Sequence, residues 1–238
     1  MLPGEVSRVS GSDQGGSTAY LHWDEQWRDL DSRAAWSSPE PWVAQTVQLL
    51  TERGARRTLD LGCGVGRHSL FLAAQGFDCT AMDRSTAGVD HARRRAMESA
   101  LDVTFLVGSF DALPFADGSF DYVLAWNVVY HGDERLVRTA AAEVIRVLRP
   151  GGVYQATMLS KRNSDHGRGV EVSRNTWVQP DAADDKIHPH VYCDAGDMLR
   201  LHDGLALLAA FDEPHGRPGS HHWHLLFERA GGSGEGPG

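Results

Sequence analysis

The sequence predicts an α/β domain: a mostly parallel, doubly wound sheet with helices on both faces. Three observations point there. Short apolar runs alternate with longer stretches of helical period. Residues 59–66, Leu-Asp-Leu-Gly-Cys-Gly-Val-Gly, read as a buried strand entering a glycine turn, and Asp83 ends the next strand-like run 21 residues after Gly62. The 238 residues suffice for one buried core and show no repeat, so one domain is expected over 19–230.

The elements follow in order. Residues 1–18 and 231–238 have the Gly/Ser composition of tails. Trp23, Trp27, Trp36 and Trp42 fall in a helical region ending near Arg53, where Trp42, Val43, Val47 and Leu50 share one apolar face. Strands are predicted at 58–62, 77–83, 103–108, 120–126 and 153–158. Helices are predicted at 68–75, stopped by Gly76, at 87–99, and at 134–148, closed by Arg149-Pro150-Gly151-Gly152. Residues 159–193 show no period and are expected to be a substrate-side loop. A helix near 194–202, a buried strand at 206–211 and an alternating strand at 222–229 complete the chain.

Composition excludes several classes. A net charge of −9 argues against nucleic acid and anionic membranes as partners, and Arg93, Arg94 and Arg95 read as a solvated helix face. Cys63, Cys79 and Cys193 lack any metal or redox spacing, and the first residues lack an apolar signal core, so a cytoplasmic protein is expected. The longest apolar run, 205–211, is too short to span a bilayer. A small-molecule partner and a monomer or homodimer fit this balance.

The glycine turn carries the chemistry. Gly62, Gly64 and Gly66 remove the Cβ atoms that would hold the main chain away from a ligand, and the helix starting near Arg67 presents unpaired N–H groups above it. Asp83 reaches the same sheet edge, where a ribose diol is the natural partner of a carboxylate. Its alternative role is capping the next helix, which Ser85 or Thr86 serves equally. A nicotinamide fingerprint would place its third glycine at position 67, which is Arg67, so that reading is weakened.

Residues 59–66, Asp83, the run Gly108-Ser109-Phe110-Asp111 continuing to Phe120-Asp121, and Val147-Leu148-Arg149-Pro150-Gly151-Gly152 together resemble the class I S-adenosylmethionine-dependent methyltransferases. The resemblance covers about residues 58–158 and implies a Rossmann-like seven-stranded sheet of order 3-2-1-4-5-7-6, S-adenosyl-L-methionine as cofactor, S-adenosyl-L-homocysteine as product, and small-molecule methylation. It implies that Gly62, Gly64 and Gly66, with Cys63, approach the methionine part while Asp60 supports its amino end. Asp83 then holds the ribose with Arg84 beside it, and Ser109, Phe110 and Asp111 border the adenine, with either Ser109 or Asp111 meeting its amine. It further implies that residues 19–57 form a lid whose Tyr20, Trp23, Trp27 and Trp36 enclose the sulfonium; from charge alone, Arg33 or Arg67 is expected to pair with the methionine carboxylate. Asp121 matches a structural position.

Trp126 and Asn127 end the fourth strand where cofactor and acceptor should meet, and His131 follows. Trp126 is assigned to the cofactor; Asn127 and His131 are the candidate catalytic residues, His131 either as a base or in a buried hydrogen bond beside Asp133. Tyr130, His188 and His190 are assigned to the acceptor pocket. Twelve histidines raise the question of a metal, but no carboxylate or cysteine stands at a recognised ligand spacing, so none is expected. The alternative function is a protein that binds S-adenosylmethionine without transferring methyl.

Overall fold

The computed structural model describes residues 17–231. Strand β4 (Phe120–Ala125) is buried at all six positions, and this sets the layering. Side chains alternate along a strand. Val123 and Ala125 therefore join one core with Leu59, Tyr154 and helix α6 (Glu134–Val147), while Tyr122 and Leu124 join a second with α3 (Pro41–Glu52) and α4 (Arg67–Ala74). A sheet buried on both faces requires helices on both.

Strands β1 (Arg57–Leu61), β2 (Asp78–Asp83), β3 (Val103–Val107), β4 and β5 (Leu148–Ser160) are parallel in the order β3-β2-β1-β4-β5. Strand β10 (His221–Arg229) runs antiparallel along β5, and β9 (Leu205–Pro214) along β10. With β9 and β10 as sixth and seventh members, the expected 3-2-1-4-5-7-6 order is present. Helix starts are fixed by side-chain caps. Ser85 accepts from Gly88 N–H ahead of α5 (Thr86–Glu98), Asp133 from Leu136 N–H ahead of α6, and Asp194 from Asp197 N–H ahead of α7 (Ala195–Leu201).

The segment expected to be a loop, 159–193, is ordered instead. It forms a hairpin of β6 (Val170–Ser173) and β7 (Thr176–Val178), a 3-10 turn (Asp185–Ile187) and β8 (His190–Cys193). Strand β8 pairs parallel with Leu159 and Ser160 of β5. Since β10 already pairs with Leu159, β8 takes the other edge beyond the end of β4, where Val191 N–H donates to the Tyr130 carbonyl at 3.0 Å. Strands of three or four residues are too short to impress a period on a sequence.

Two further expectations change. Strand β9 was expected to be buried, yet Leu207, Leu208 and Phe211 are 39%, 43% and 47% exposed. It is the last strand beyond β10, and an apolar run reads the same at an edge as in a core. Ser17 and Thr18, assigned to a tail, are held: Arg84 donates to the Ser17 carbonyl at 2.7 Å, and the Thr18 hydroxyl lies 2.9 Å from His188 Nδ1. Residues 1–16 and 232–238 of the expected tails lie outside the described residues. No helix among the described residues is long and apolar enough to cross a membrane.

A covered cleft at the carboxyl edge of the sheet

Parallel pairing brings the ends of β1, β2, β3 and β4 to one edge, and a cleft lies there beneath α1 (Tyr20–Gln26) and α2 (Leu30–Ala35). The cover is fastened to the sheet. The Asp24 carboxylate accepts from Ser85 Oγ at 2.8 Å and from Ala87 N–H at 3.0 Å, and Arg84 stacks 4.1 Å from the Tyr20 ring centre. Trp23 and Trp27 stack at 5.1 Å and both meet Trp36 edge-on. A Cβ on Gly88 would come within 2.9 Å of the Trp27 indole, and one on Gly64 within 3.1 Å. Glycine inside a helix is unfavourable, and at Gly88 it makes room for this ring.

The floor is the glycine turn. Gly62 and Gly64 take φ values of +73° and +50°, which other residues rarely adopt, and Gly62 lies so close to Val128 that a Cβ would overlap its side chain. Asp83 accepts from Gly64 N–H at 2.8 Å and from Ser85 N–H at 2.7 Å. Each carboxylate oxygen keeps a lone pair for a ligand hydroxyl. Ser85, not Asp83, caps α5, which removes the alternative role considered for the acid. Burial raises the Asp83 carboxyl above its usual pKa, opposed by these two N–H groups.

Among the sequence-predicted residues, Gly62, Cys63, Gly64, Asp83, Arg84, Phe110, Trp126, Asn127 and His131 line the cleft. Others do not. Gly66 packs on α5, where a Cβ would sit 2.7 Å from that of Ala92, so its small size serves helix packing. Asp60 is buried beneath the turn, accepting from Ser69 Oγ at 2.5 Å, and burial pushes its carboxyl up to about 6. Ser109 turns its hydroxyl to Asp111. Arg33 donates to the carbonyls of Trp27 and Arg28 and braces the cover, whereas Arg67 lines the cleft, paired with Glu40 at 2.8 Å and lying 4.7 Å from the Trp36 ring centre. Tyr130, His188 and His190 are not among the residues that line the cleft. Asp121 accepts from Arg56 and Arg57 N–H, each at 2.8 Å, a structural role.

At the wall formed by β4, Trp126 and Asn127 are both constrained. Asn127 has a φ of +61°; its N–H donates to Thr157 Oγ1 at 2.8 Å, and its side-chain oxygen accepts from the same hydroxyl at 3.0 Å. Its amide lies 3.2 Å from His215 Nε2. His131 is buried with Nδ1–H donating to the Val128 carbonyl at 2.9 Å and Nε2 3.1 Å from Asp185, so neither ring nitrogen is free for an acceptor's proton. Asp133, the partner considered for it, caps α6 instead. Burial and the adjoining imidazoles lower His215 to about 4 and His222 to about 2, keeping that histidine cluster neutral at pH 7.

The residues present fit an adenosyl sulfonium ligand. Trp23 and Trp126 line the cleft with buried indole N–H groups that have no partner, so a polar ligand atom has donors waiting for it. Main chain at Gly62–Val65, an acid at the end of β2 and an aromatic ring at Phe110 line the same cleft. Sequence reasoning missed Met82, Gly108 and Val128 as lining residues and Asp24 as a fastener. Gly88, a glycine inside a helical pattern, was the readable signal for the close approach of Trp27.

The methyltransferase-domain family model matches residues 58–152. A demethylmenaquinone methyltransferase from Beutenbergia cavernae is 38% identical over 113 residues, 47% of this chain and 44% of that protein. The chain spans about half the length of the curated relatives it matches first. Among solved structures, a SAM-dependent methyltransferase from Methanosarcina mazei superposes with a TM-score of 0.67 at 18% identity, covering 82% of this chain and 100% of that one. A 1,6-didemethyltoxoflavin-N1-methyltransferase from Burkholderia thailandensis, solved with S-adenosylhomocysteine, gives 0.67 at 18% identity over 93% of each chain. Those two likenesses concern the fold, and the methyltransferase-domain match covers residues 58–152 of this chain.

Proposed function

We propose that this protein transfers the methyl group of S-adenosylmethionine to an O, N, S or C atom of a small molecule. The observation that carries the reading is the covered cleft itself, with the Gly62–Val65 main chain as floor, Asp83 at its side and tryptophans above. When bound, the cofactor supplies an electrophilic methyl group on a positively charged sulfur.

The chain's own residues supply position. Asp83 holds the ribose hydroxyls while it fixes Gly64, and Phe110 covers the adenine. Trp23, Trp27 and Trp36 present π faces that favour a cation and exclude water, acting as the lid. Of the two arginines that line the cleft, Arg84 is bonded to the Ser17 carbonyl, and Arg67 is the one suited to the methionine carboxylate. Trp126 and Asn127, the latter fixed by Thr157, form the wall against which an acceptor is aligned. Holding an acceptor in line accounts for most of the acceleration such a displacement needs. Three buried, unpaired cysteines suit a reducing compartment, and a cytoplasmic location belongs to the same proposal.

The test is release of S-adenosylhomocysteine from S-adenosylmethionine across a panel of phenols, amines, thiols and carboxylic acids. Turnover with at least one member, abolished by cleft substitutions, is expected. Tight cofactor binding with no turnover across the panel would contradict methyl transfer and favour a protein that only binds the cofactor.

A further inference from the structure

Beside the cleft, three side chains distant in sequence converge. His131 Nε2 lies 3.1 Å and His190 Nε2 3.3 Å from the same oxygen, Asp185 Oδ2, and all three atoms lie within 4.8 Å of one another. The side chains are 7%, 0% and 11% exposed for His131, His190 and Asp185. Each sits on a fixed element: His131 in the turn after β4, Asp185 in the 3-10 turn, and His190 at the start of β8.

The backbone settles which ring nitrogens carry hydrogen. Nδ1 of His131 lies 2.9 Å from the Val128 carbonyl and Nδ1 of His190 lies 2.8 Å from the His188 carbonyl. A carbonyl oxygen only accepts, so both Nδ1 atoms donate, and each neutral ring then aims an Nε2 lone pair at the carboxylate oxygen. Three lone pairs facing one another repel, and a cation between them removes that repulsion. Two protons would create two imidazoliums with ring centres 4.8 Å apart beside the Lys186 ammonium, which already bonds Asp185 Oδ1 at 3.2 Å. A single ion engages all three lone pairs together.

We propose that His131, Asp185 and His190 form a binding site for one divalent transition-metal ion of the zinc type. Two imidazoles and one carboxylate suit such ions rather than magnesium or calcium, which take oxygen ligands. Imidazole N–H groups donating to backbone carbonyls are the outer support found around histidine ligands, and Lys186 leaves Asp185 one oxygen for the ion. At metal–ligand distances of about 2.0–2.1 Å, tetrahedral ligand atoms stand about 3.3 Å apart. The two spans to Asp185 already have that length, and the histidine pair must close by no more than about 1.5 Å. Three protein ligands leave the fourth position open, beside a cleft that His131 itself lines.

The experiment uses untagged protein, stripped with a chelator and dialysed, then titrated with Co2+ or Zn2+ without cofactor or acceptor. One equivalent bound per chain, with visible cobalt absorption of a tetrahedral or five-coordinate site, is expected. Asp185→Asn and His190→Gln should each weaken binding more than about tenfold, circular dichroism and S-adenosylhomocysteine titration verifying that each variant folds. No bound ion in the wild-type protein overturns the proposal, and so does equal binding by a folded variant, which would assign the ion to other histidines. Metal content is read without turnover, so failure here leaves the methyl-transfer reading standing, and the reverse holds too.

Discussion

The Asp83 carboxylate accepts a hydrogen bond from the Gly64 backbone N–H at 2.8 Å. The last residue of the second strand thereby fixes the turn that follows the first, and one acid both shapes the floor of the cleft and lines it. Loss of that carboxylate must be felt in cofactor binding even where the fold survives.

Asp83→Ala is expected to weaken S-adenosylhomocysteine binding by about 1–3 kcal/mol, the cost of removing a charged hydrogen-bond partner. Calorimetric titration measures it directly. Unchanged affinity would remove the ribose role.

Gly62→Ala is expected to destabilise the protein by about 2–4 kcal/mol, combining a positive φ with overlap onto Val128. Adding Val128→Ala should recover roughly 1 kcal/mol or more of the overlap while leaving the backbone cost. Urea midpoints of the four proteins in this cycle provide the check, and strict additivity would contradict the contact.

Asp60 gives stability a pH dependence of known sign. Its folded carboxyl is raised from 3.8 to about 6 by burial, so the folded state binds its proton more tightly than the unfolded chain does. The resulting stabilisation is complete below the unfolded pKa and fades as pH rises through about 6, by roughly 3 kcal/mol in all. Asp60→Asn has no such proton and should flatten this part of the profile between about pH 4 and 7. Parallel profiles for the two proteins would contradict the assignment.

Much of this was legible in the sequence because strand ends, turn glycines and caps are local features. The run 59–66 and Asp83 announced the cleft floor, whereas Asp133, set beside His131 in the sequence reading, caps α6 instead. What was hidden depended on distant approach. Asp185 lies 54 residues from His131, and its relation to the histidines exists only once the short strands β7 and β8 fold back beside β5. Exposure of β9 was equally hidden, since Leu207 and Leu208 have the composition of a core strand. Gly66 belongs to a motif that pointed to ligand contact, yet Ala92 is what it touches.

Asp24→Ala should loosen the lid by removing the acceptor for Ser85 Oγ and Ala87 N–H. S-adenosylhomocysteine should then dissociate roughly tenfold faster, followed by stopped-flow tryptophan fluorescence, for which Trp23, Trp27, Trp36 and Trp126 line the cleft as reporters. An unaltered dissociation rate would show that the cover is not what retains the ligand.

A crystal structure of the protein with S-adenosylhomocysteine tests the central claim most directly. The nucleoside is expected in the covered cleft, its ribose hydroxyls within hydrogen-bonding distance of Asp83 and its amino-acid portion over the Gly62–Val65 main chain. A ligand bound elsewhere on the protein, or a cleft left empty at saturating ligand, would contradict it.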